Sequence, residues 1–76
     1  MEKKTIYSFK RSETEEVRIS AGVFKEKEYV DVRNFYSDKK SGEWKPTKKG
    51  ITINQNLLGE LIEGLKRAEQ ELAVAQ

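Results

Sequence analysis

Residues 29–36 read YVDVRNFY, and this segment decides the fold. In an extended chain Val30 and Val32 fall on one face, and Asp31 and Arg33 fall on the other. β-branched and aromatic residues favour strands, and strict alternation is typical of a strand that is buried on one side only. The segment therefore predicts a strand with one apolar and one polar face.

Extended segments flank this strand on both sides. The polar residues 37–42 predict a turn, and the charged residues 25–28 predict a hairpin connection, although they lack an Asn-Gly pair. Pro46 has no N–H to donate and so indicates a sheet edge or a bulge. Short links favour an antiparallel meander. The further strands are predicted at residues 6–9, from about residue 15 to residue 24, and at residues 44–53.

After residue 53 the apolar period changes to three and four, which is typical of an amphipathic helix. Asn54 is a residue type that caps helix N-termini. The predicted fold class is therefore α+β, a four-stranded antiparallel sheet followed by a C-terminal helix that covers one face. One domain is predicted over residues 1–76, with a core at about 5–74. The apolar stripe is Leu57, Leu58, Leu61, Ile62, Leu65, Ala68 and Leu72.

The composition makes a self-sufficient core difficult to build. The 76 residues are 36% hydrophobic and 37% charged, whereas average domains are roughly 25% charged. No disulfide can help, because the chain has no cysteine. A second copy would add buried area, so we expect a homodimer whose interface includes Leu57, Leu58, Leu61, Ile62, Leu65 and Leu72. A monomer that uses the whole stripe internally is the alternative.

Several classes of function are disfavoured by the residues present. With neither histidine nor cysteine, the chain lacks the usual zinc ligands and the Ser-His or Cys-His nucleophile pairs. The segment Lys48-Lys49-Gly50 lacks the glycine spacing of a phosphate-binding loop. We therefore expect no enzyme activity, no cofactor and no metal. The sequence contains no membrane-spanning run and no secretory signal, which predicts a cytoplasmic protein, nucleoid-associated in a prokaryote.

The middle of the chain favours nucleic-acid binding. Net charge is only +2 overall, but residues 25–49 hold eight basic and five acidic side chains. Aromatic rings stack on bases while lysine and arginine follow phosphates, an arrangement that suits single strands. The alternative is that these aromatics are core and these lysines only aid solubility. The aromatic residues are Phe24, Tyr29, Phe35, Tyr36 and Trp44, and the basic ones are Lys25, Lys27, Arg33, Lys45, Lys48 and Lys49.

Two stretches give the chain a family resemblance. Residues 24–36, FKEKEYVDVRNFY, and residues 42–53, GEWKPTKKGITI, followed by a long helix, resemble the positive cofactor 4 family of single-stranded DNA-binding coactivators. The resemblance covers about residues 15–73. It implies a homodimer of curved four-stranded sheets whose helices meet, with grooves for two antiparallel single strands or melted duplex. It further implies sequence-independent binding in transcription, replication or repair, with the transcription machinery as a candidate partner.

The resemblance also implies individual roles. Phe24 matches an aromatic residue that contacts bases, Lys25 and Lys27 match phosphate-binding positions, and Arg33 matches an arginine at the groove. Tyr36 stands where the family commonly has a stacking tryptophan. Lys48 and Lys49 match basic positions of the last strand.

One departure from the family pattern matters, and so does the spacing of two of the assigned residues. Glu26 stands where the family often has glycine, which adds an acid near the groove. Arg33 and Tyr36 are an odd number of residues apart, so a regular strand places them on opposite faces. If both serve one site, a bulge or a strand end near Asn34 is required.

Two other functions are compatible with the sequence. A protein-interaction module could use the helix stripe or the open sheet, and an RNA-binding protein would use the same aromatic and basic residues.

Overall fold

The computed structural model describes residues 2–75 and contains one sheet and one long helix. The strands β1 to β4 pair antiparallel in the order of the chain, which confirms the predicted α+β meander. Residues 1 and 76 of the predicted domain lie outside the described residues. Among the residues described, no helix is long and apolar enough to cross a membrane. The elements are β1 (Glu2–Lys10), β2 (Glu15–Phe24), β3 (Lys27–Ser37), β4 (Trp44–Asn54), a 3-10 turn (Gln55–Leu57) and α1 (Leu58–Ala75).

Two strands are longer than the sequence indicates. β1 begins at Glu2, and its charged N-terminal half pairs with β2 through Lys3 and Gly22. β3 begins at Lys27, so only Lys25 and Glu26 form the turn, with φ angles of 51° and 65°. Two positive φ angles characterise the tight hairpin turn whose twist matches that of the strands.

Two interruptions break the otherwise regular pairing. Between Thr5 and Tyr7, β1 carries one residue that has no partner on β2. Between β3 and β4, three residues from Thr47 to Lys49 stand opposite Asn34. The pairing of β2 with β3 is unbroken along its whole length. β3 therefore keeps its strict alternation of side chains, and the irregularity belongs to β4.

Paired residues share a face, so the register divides the sheet into two surfaces. The polar face carries Lys3, Arg18, Ser20, Phe24, Lys27, Tyr29, Asp31, Arg33, Phe35 and Thr52. The apolar face carries Tyr7, Phe9, Val17, Ile19, Val30, Val32, Ile51 and Ile53.

The helix does not cover a face of the sheet, and in this respect the sequence-based expectation is wrong. α1 contacts mainly the 3-10 turn, and the 3-10 turn contacts β3. Leu65 and Leu72 are 61% and 65% exposed, and no apolar side chain among residues 3–74 is fully buried. Asn54 is the N-cap as predicted, with its side chain accepting a hydrogen bond from the Asn56 amide, but the cap precedes the 3-10 turn. The apolar face and the helix stripe therefore both remain open in the protomer.

Candidate nucleic-acid interface

The hairpin between β2 and β3 presents an aromatic ring among cations. Phe24 is 51% exposed and pairs with Lys27 at the end of the hairpin. The Lys25 ammonium lies 5.4 Å from the centroid of the Phe24 ring, a cation–π distance. One end of the polar face therefore offers a flat apolar surface flanked by two positive charges.

A groove of about 430 Å³ runs from this hairpin across the polar face. Its volume lies in the range of small-molecule sites. Phe24 and Tyr29 form aromatic walls, and the Tyr29 hydroxyl is buried without a hydrogen-bond partner among the described residues. The groove can hold an unpaired base against an aromatic surface. The complete lining is Lys3, Phe24, Lys27, Glu28, Tyr29, Asp31, Arg33, Thr52 and Asn54.

The floor of the groove is an ion pair between Asp31 and Arg33. Arg33 donates from Nε and Nη2 to the two carboxylate oxygens at 3.1 and 2.9 Å, and Thr52 donates to Oδ1 at 2.7 Å. Asp31 is only 4% exposed. Burial alone would raise the pKa of Asp31, but the hydrogen bonds from Arg33 and Thr52 outweigh it and hold that pKa below its ordinary value. The carboxylate is therefore ionised at neutral pH.

The irregular part of β4 carries two exposed lysines, Lys48 and Lys49. The Thr47 carbonyl accepts a hydrogen bond from Arg33 at 3.0 Å, and the Thr47 hydroxyl donates to the Asn34 carbonyl at 2.8 Å. These two hydrogen bonds hold the segment on β3 beside Lys48 and Lys49.

The far end of the polar face holds a second aromatic group. The Arg18 guanidinium lies 4.3 Å from the centroid of the Phe35 ring and is also bound to Glu16. Pro46 pairs with Phe35, and the register places Trp44 on the same face. Aromatic side chains therefore stand at both ends of the polar face.

The structure brings most of the predicted site residues together, but not all of them. Phe24, Lys27, Arg33 and Trp44 lie on the polar face, Lys25 lies in the hairpin turn, and Lys48 and Lys49 lie in the irregular segment of β4.

Tyr36 and Lys45 pair with one another on the opposite, apolar face. Tyr36 is 41% exposed. The expected irregularity does occur at Asn34, but the extra residues belong to β4, so it does not turn Tyr36 towards Arg33. Lys45 is occupied by Asp38 at 2.8 Å, and this hydrogen bond raises the pKa of Lys45 and lowers that of Asp38.

Five groove residues are absent from the aromatic and basic residues that the sequence indicates, namely Lys3, Glu28, Asp31, Thr52 and Asn54. The alternation of residues 29–36 does place Asp31 beside Arg33, so its presence could have been inferred. Lys3 lies 3.9 Å from Asp31 because the N-terminal half of β1 pairs with β2. That half carries too few apolar residues to indicate a strand.

Comparison with known proteins yields one family. The family model described as Transcriptional Coactivator p15 (PC4) matches residues 11–64. A crystal structure of a PC4 homolog from Burkholderia pseudomallei is 40% identical, with a TM-score of 0.80 over 90% of each chain. The bacteriophage T5 homolog of the eukaryotic transcription coactivator PC4, implicated in recombination-dependent DNA replication, is 25% identical, with a TM-score of 0.74 over 97% of this chain and 84% of that one.

A curated relative matches over a shorter stretch. The RNA polymerase II transcriptional coactivator SUB1 of Saccharomyces cerevisiae is 38% identical over 45 residues. The match takes in 59% of this chain but only 15% of SUB1.

Proposed function

The chain belongs to the Transcriptional Coactivator p15 (PC4) family, and from that premise we propose that it binds single-stranded DNA on the polar face, as a non-catalytic homodimer. The observation that carries this proposal is the groove at the hairpin, where the half-exposed Phe24 ring stands beside Lys25 and Lys27. Unpaired bases offer faces that such a ring can stack on, whereas the bases of a duplex are already stacked.

Binding of this kind is independent of sequence. Stacking on Phe24 contributes roughly 1–3 kcal/mol per base, and every base has a face to stack. Lys25, Lys27, Lys48 and Lys49 neutralise phosphates, which all nucleotides share. Phe35 and Trp44 extend the stacking surface towards the far end of the polar face.

Two of the predicted binding residues lie outside the polar face and would contact a bound strand only if the strand left that face. Tyr36 and Lys45 lie on the apolar face, so a bound strand reaches them only by passing around the end of β3. Arg33 lies in the groove itself.

A second copy of the chain is the proposed cover for the two open apolar surfaces. The apolar face and the helix stripe are both uncovered in the protomer, and monomeric proteins rarely leave large contiguous apolar surfaces open. The interface then consists of the predicted residues Leu57, Leu58, Leu61, Ile62, Leu65 and Leu72 together with the apolar face of the sheet. A two-fold axis would make the contact self-complementary.

The proposed cellular role is transcription, replication or repair, at the nucleoid if the source is a prokaryote. Support comes from the relatives, because SUB1 is a transcriptional coactivator of RNA polymerase II and the phage T5 homolog is implicated in DNA replication. The transcription machinery is a candidate partner on the same ground.

Fluorescence anisotropy tests the proposal directly. A labelled single strand of about 20 nucleotides should bind more tightly than the matched duplex. Its affinity should fall by roughly 0.7 log units per log unit of salt for each phosphate neutralised. The change Lys27→Ala should reduce that slope by about 0.7, whereas Lys66→Ala on the helix, away from the groove, should not change it.

Equal and weak binding to both DNAs would contradict the proposal. The exposed apolar face would then favour a protein-interaction module, the second candidate function. Competition with RNA of the same sequence tests the third candidate, because stacking and phosphate contacts serve both polymers. A stronger effect of the RNA competitor would assign the site to RNA.

A further inference from the structure

We propose that Arg33 is a positioning residue, which holds the irregular segment Thr47–Lys49 of β4 so that Lys48 and Lys49 meet phosphates, and that it does not itself bind phosphate. This inference rests on the proposed function, because it concerns how the same groove binds a single strand. It differs from the phosphate-following role that the sequence predicts for Arg33 as one of the basic residues of the middle segment.

The donors of Arg33 are already committed within the protomer. Nε and Nη2 donate to the two oxygens of Asp31 at 3.1 and 2.9 Å, and Nη2 also lies 3.5 Å from the Thr52 hydroxyl. Nη1 donates to the Thr47 carbonyl at 3.0 Å. A guanidinium has five N–H groups, so at most one remains for a phosphate, from a side chain that is 20% exposed.

The charge of Arg33 is also compensated. Asp31 is an ionised carboxylate in a bidentate contact with the guanidinium, so the pair as a unit carries no net charge. Binding of a strand at this pair therefore releases little of the counterion atmosphere on which phosphate affinity depends.

The irregular segment of β4 needs such a fastening, because its regular pairing with β3 is interrupted at Asn34. Arg33 holds the Thr47 carbonyl, and the Thr47 hydroxyl both donates to the Asn34 carbonyl at 2.8 Å and accepts from the Lys49 amide at 3.1 Å. At the other end Gly50 lies so close to β3 that a Cβ would stand 2.5 Å from the Val32 carbonyl oxygen and 2.9 Å from the Arg33 Cα.

Lys48 and Lys49 lie on the segment that these hydrogen bonds hold against β3. Both are exposed, and neither forms an ion pair with a carboxylate of residues 3–74, whose side chains the structure describes. They differ in this respect from Arg33, Arg18 and Lys45, which are paired with acids. The positive charges near Arg33 that are not paired with an acid are therefore those of Lys48 and Lys49, on the segment that Arg33 holds.

The change Arg33→Lys separates the two roles. It retains the positive charge, and lysine is itself a good phosphate ligand, so a phosphate-binding role predicts affinity close to that of the unchanged protein. Lysine cannot hold both oxygens of Asp31 and the Thr47 carbonyl with one ammonium, so the positioning role predicts a loss of about tenfold. Unchanged affinity for a 20-nucleotide strand would overturn the proposal.

A double-mutant cycle identifies what Arg33 positions. The paired change Lys48→Ala with Lys49→Ala should cost about tenfold alone but less than about twofold in the Arg33→Lys background, because the lysines are then already misplaced. Lys27→Ala is the matched control and should cost the same in both backgrounds. A full effect of the two lysine changes in the Arg33→Lys background would overturn the proposal.

Amide hydrogen exchange tests the positioning step without any nucleic acid. Arg33→Lys should speed exchange of the Lys49 amide, while the amides of β2 that pair with β3 keep their protection. The change Thr47→Val, which alters no charge, should reproduce both the faster exchange and the loss of coupling to Lys48 and Lys49. Unchanged exchange at Lys49 in both variants would overturn the proposal, even if the protein bound no single strand and the proposed function itself failed.

Discussion

Along β3 alternate residues belong to surfaces of opposite character, with Val30 and Val32 on the apolar face and Asp31 and Arg33 on the polar face. The polar groups find their partners within one chain, because Asp31 is held by Arg33 and Thr52. The valines do not, because no described element covers their face of the sheet. One chain therefore suffices to shape the groove, whereas covering the apolar face requires something beyond the protomer.

The largest effect is expected from a charge placed on the open helix stripe. Leu65→Glu should raise the dimer dissociation constant more than about 100-fold, roughly 3 kcal/mol, because a desolvated carboxylate would lie unpaired in the interface. Sedimentation velocity across a concentration series measures this. Gln70→Glu, five residues later and on the other side of the helix, is the matched control. A dimer that is equally stable with Leu65→Glu would mean that the stripe lies outside the interface.

A smaller effect is expected at the groove. Phe24→Ala should weaken single-strand binding by roughly 1–3 kcal/mol, the loss of one stacked base. Tyr36→Ala should weaken it less, because Tyr36 lies on the apolar face. Anisotropy titrations of both variants provide the measurement. Equal losses would show that the bound strand passes around the end of β3 and that the two faces are not functionally separate.

Acid should lower the free energy of unfolding, because it protonates the Asp31 carboxylate on the polar face. The pKa of Asp31 is lower in the folded protein than its ordinary value of about 3.9, so its contribution to stability is complete above that pH and is lost as pH falls through the folded value. Urea unfolding at pH 6 and pH 3 should therefore show a larger loss of stability for the unchanged protein than for Asp31→Asn. Parallel pH profiles for the two proteins would contradict this assignment.

The smallest effect is expected in the hairpin turn. Glu26 has a φ of 65°, which costs a non-glycine residue roughly 1 kcal/mol, and glycine would remove that strain. Because glycine also makes the unfolded chain more flexible, Glu26→Gly should change stability by less than about 1 kcal/mol. It should raise affinity about two- to threefold by removing an acid from the turn between Phe24 and Lys27. Glu26→Gln keeps the strained φ and loses the charge, so a gain in affinity confined to Glu26→Gly would assign the effect to strain.

Much of the fold could be predicted because it follows from local patterns. The alternation in residues 29–36, the extent of β2 and the change of period after residue 53 are each visible within a few residues. The sharing of a face by Asp31 and Arg33 is also a local property, and the structure places both on the polar face. Where neighbouring residues alone determine the outcome, sequence and structure agree.

The errors arise where distant segments decide the outcome. Pairing with β2 extends β1 to Glu2, although the charged start of the chain gives no strand signal. The position of the extra residues opposite Asn34 depends on how Thr47 and Gly50 fit against β3, and this decides which face Tyr36 occupies. The expectation that the helix covers the sheet is wrong because an apolar stripe does not specify which surface it meets.

The order β1-β2-β3-β4 also has a consequence for how the molecule assembles in time. Each strand pairs only with its neighbours along the chain, so the sheet needs few long loop closures, and topologies of this kind fold comparatively fast. Covering the apolar face with a second copy is a bimolecular step and slows on dilution. Refolding should therefore separate into an early phase whose rate is independent of protein concentration and a later one that depends on it, with the groove formed in the first.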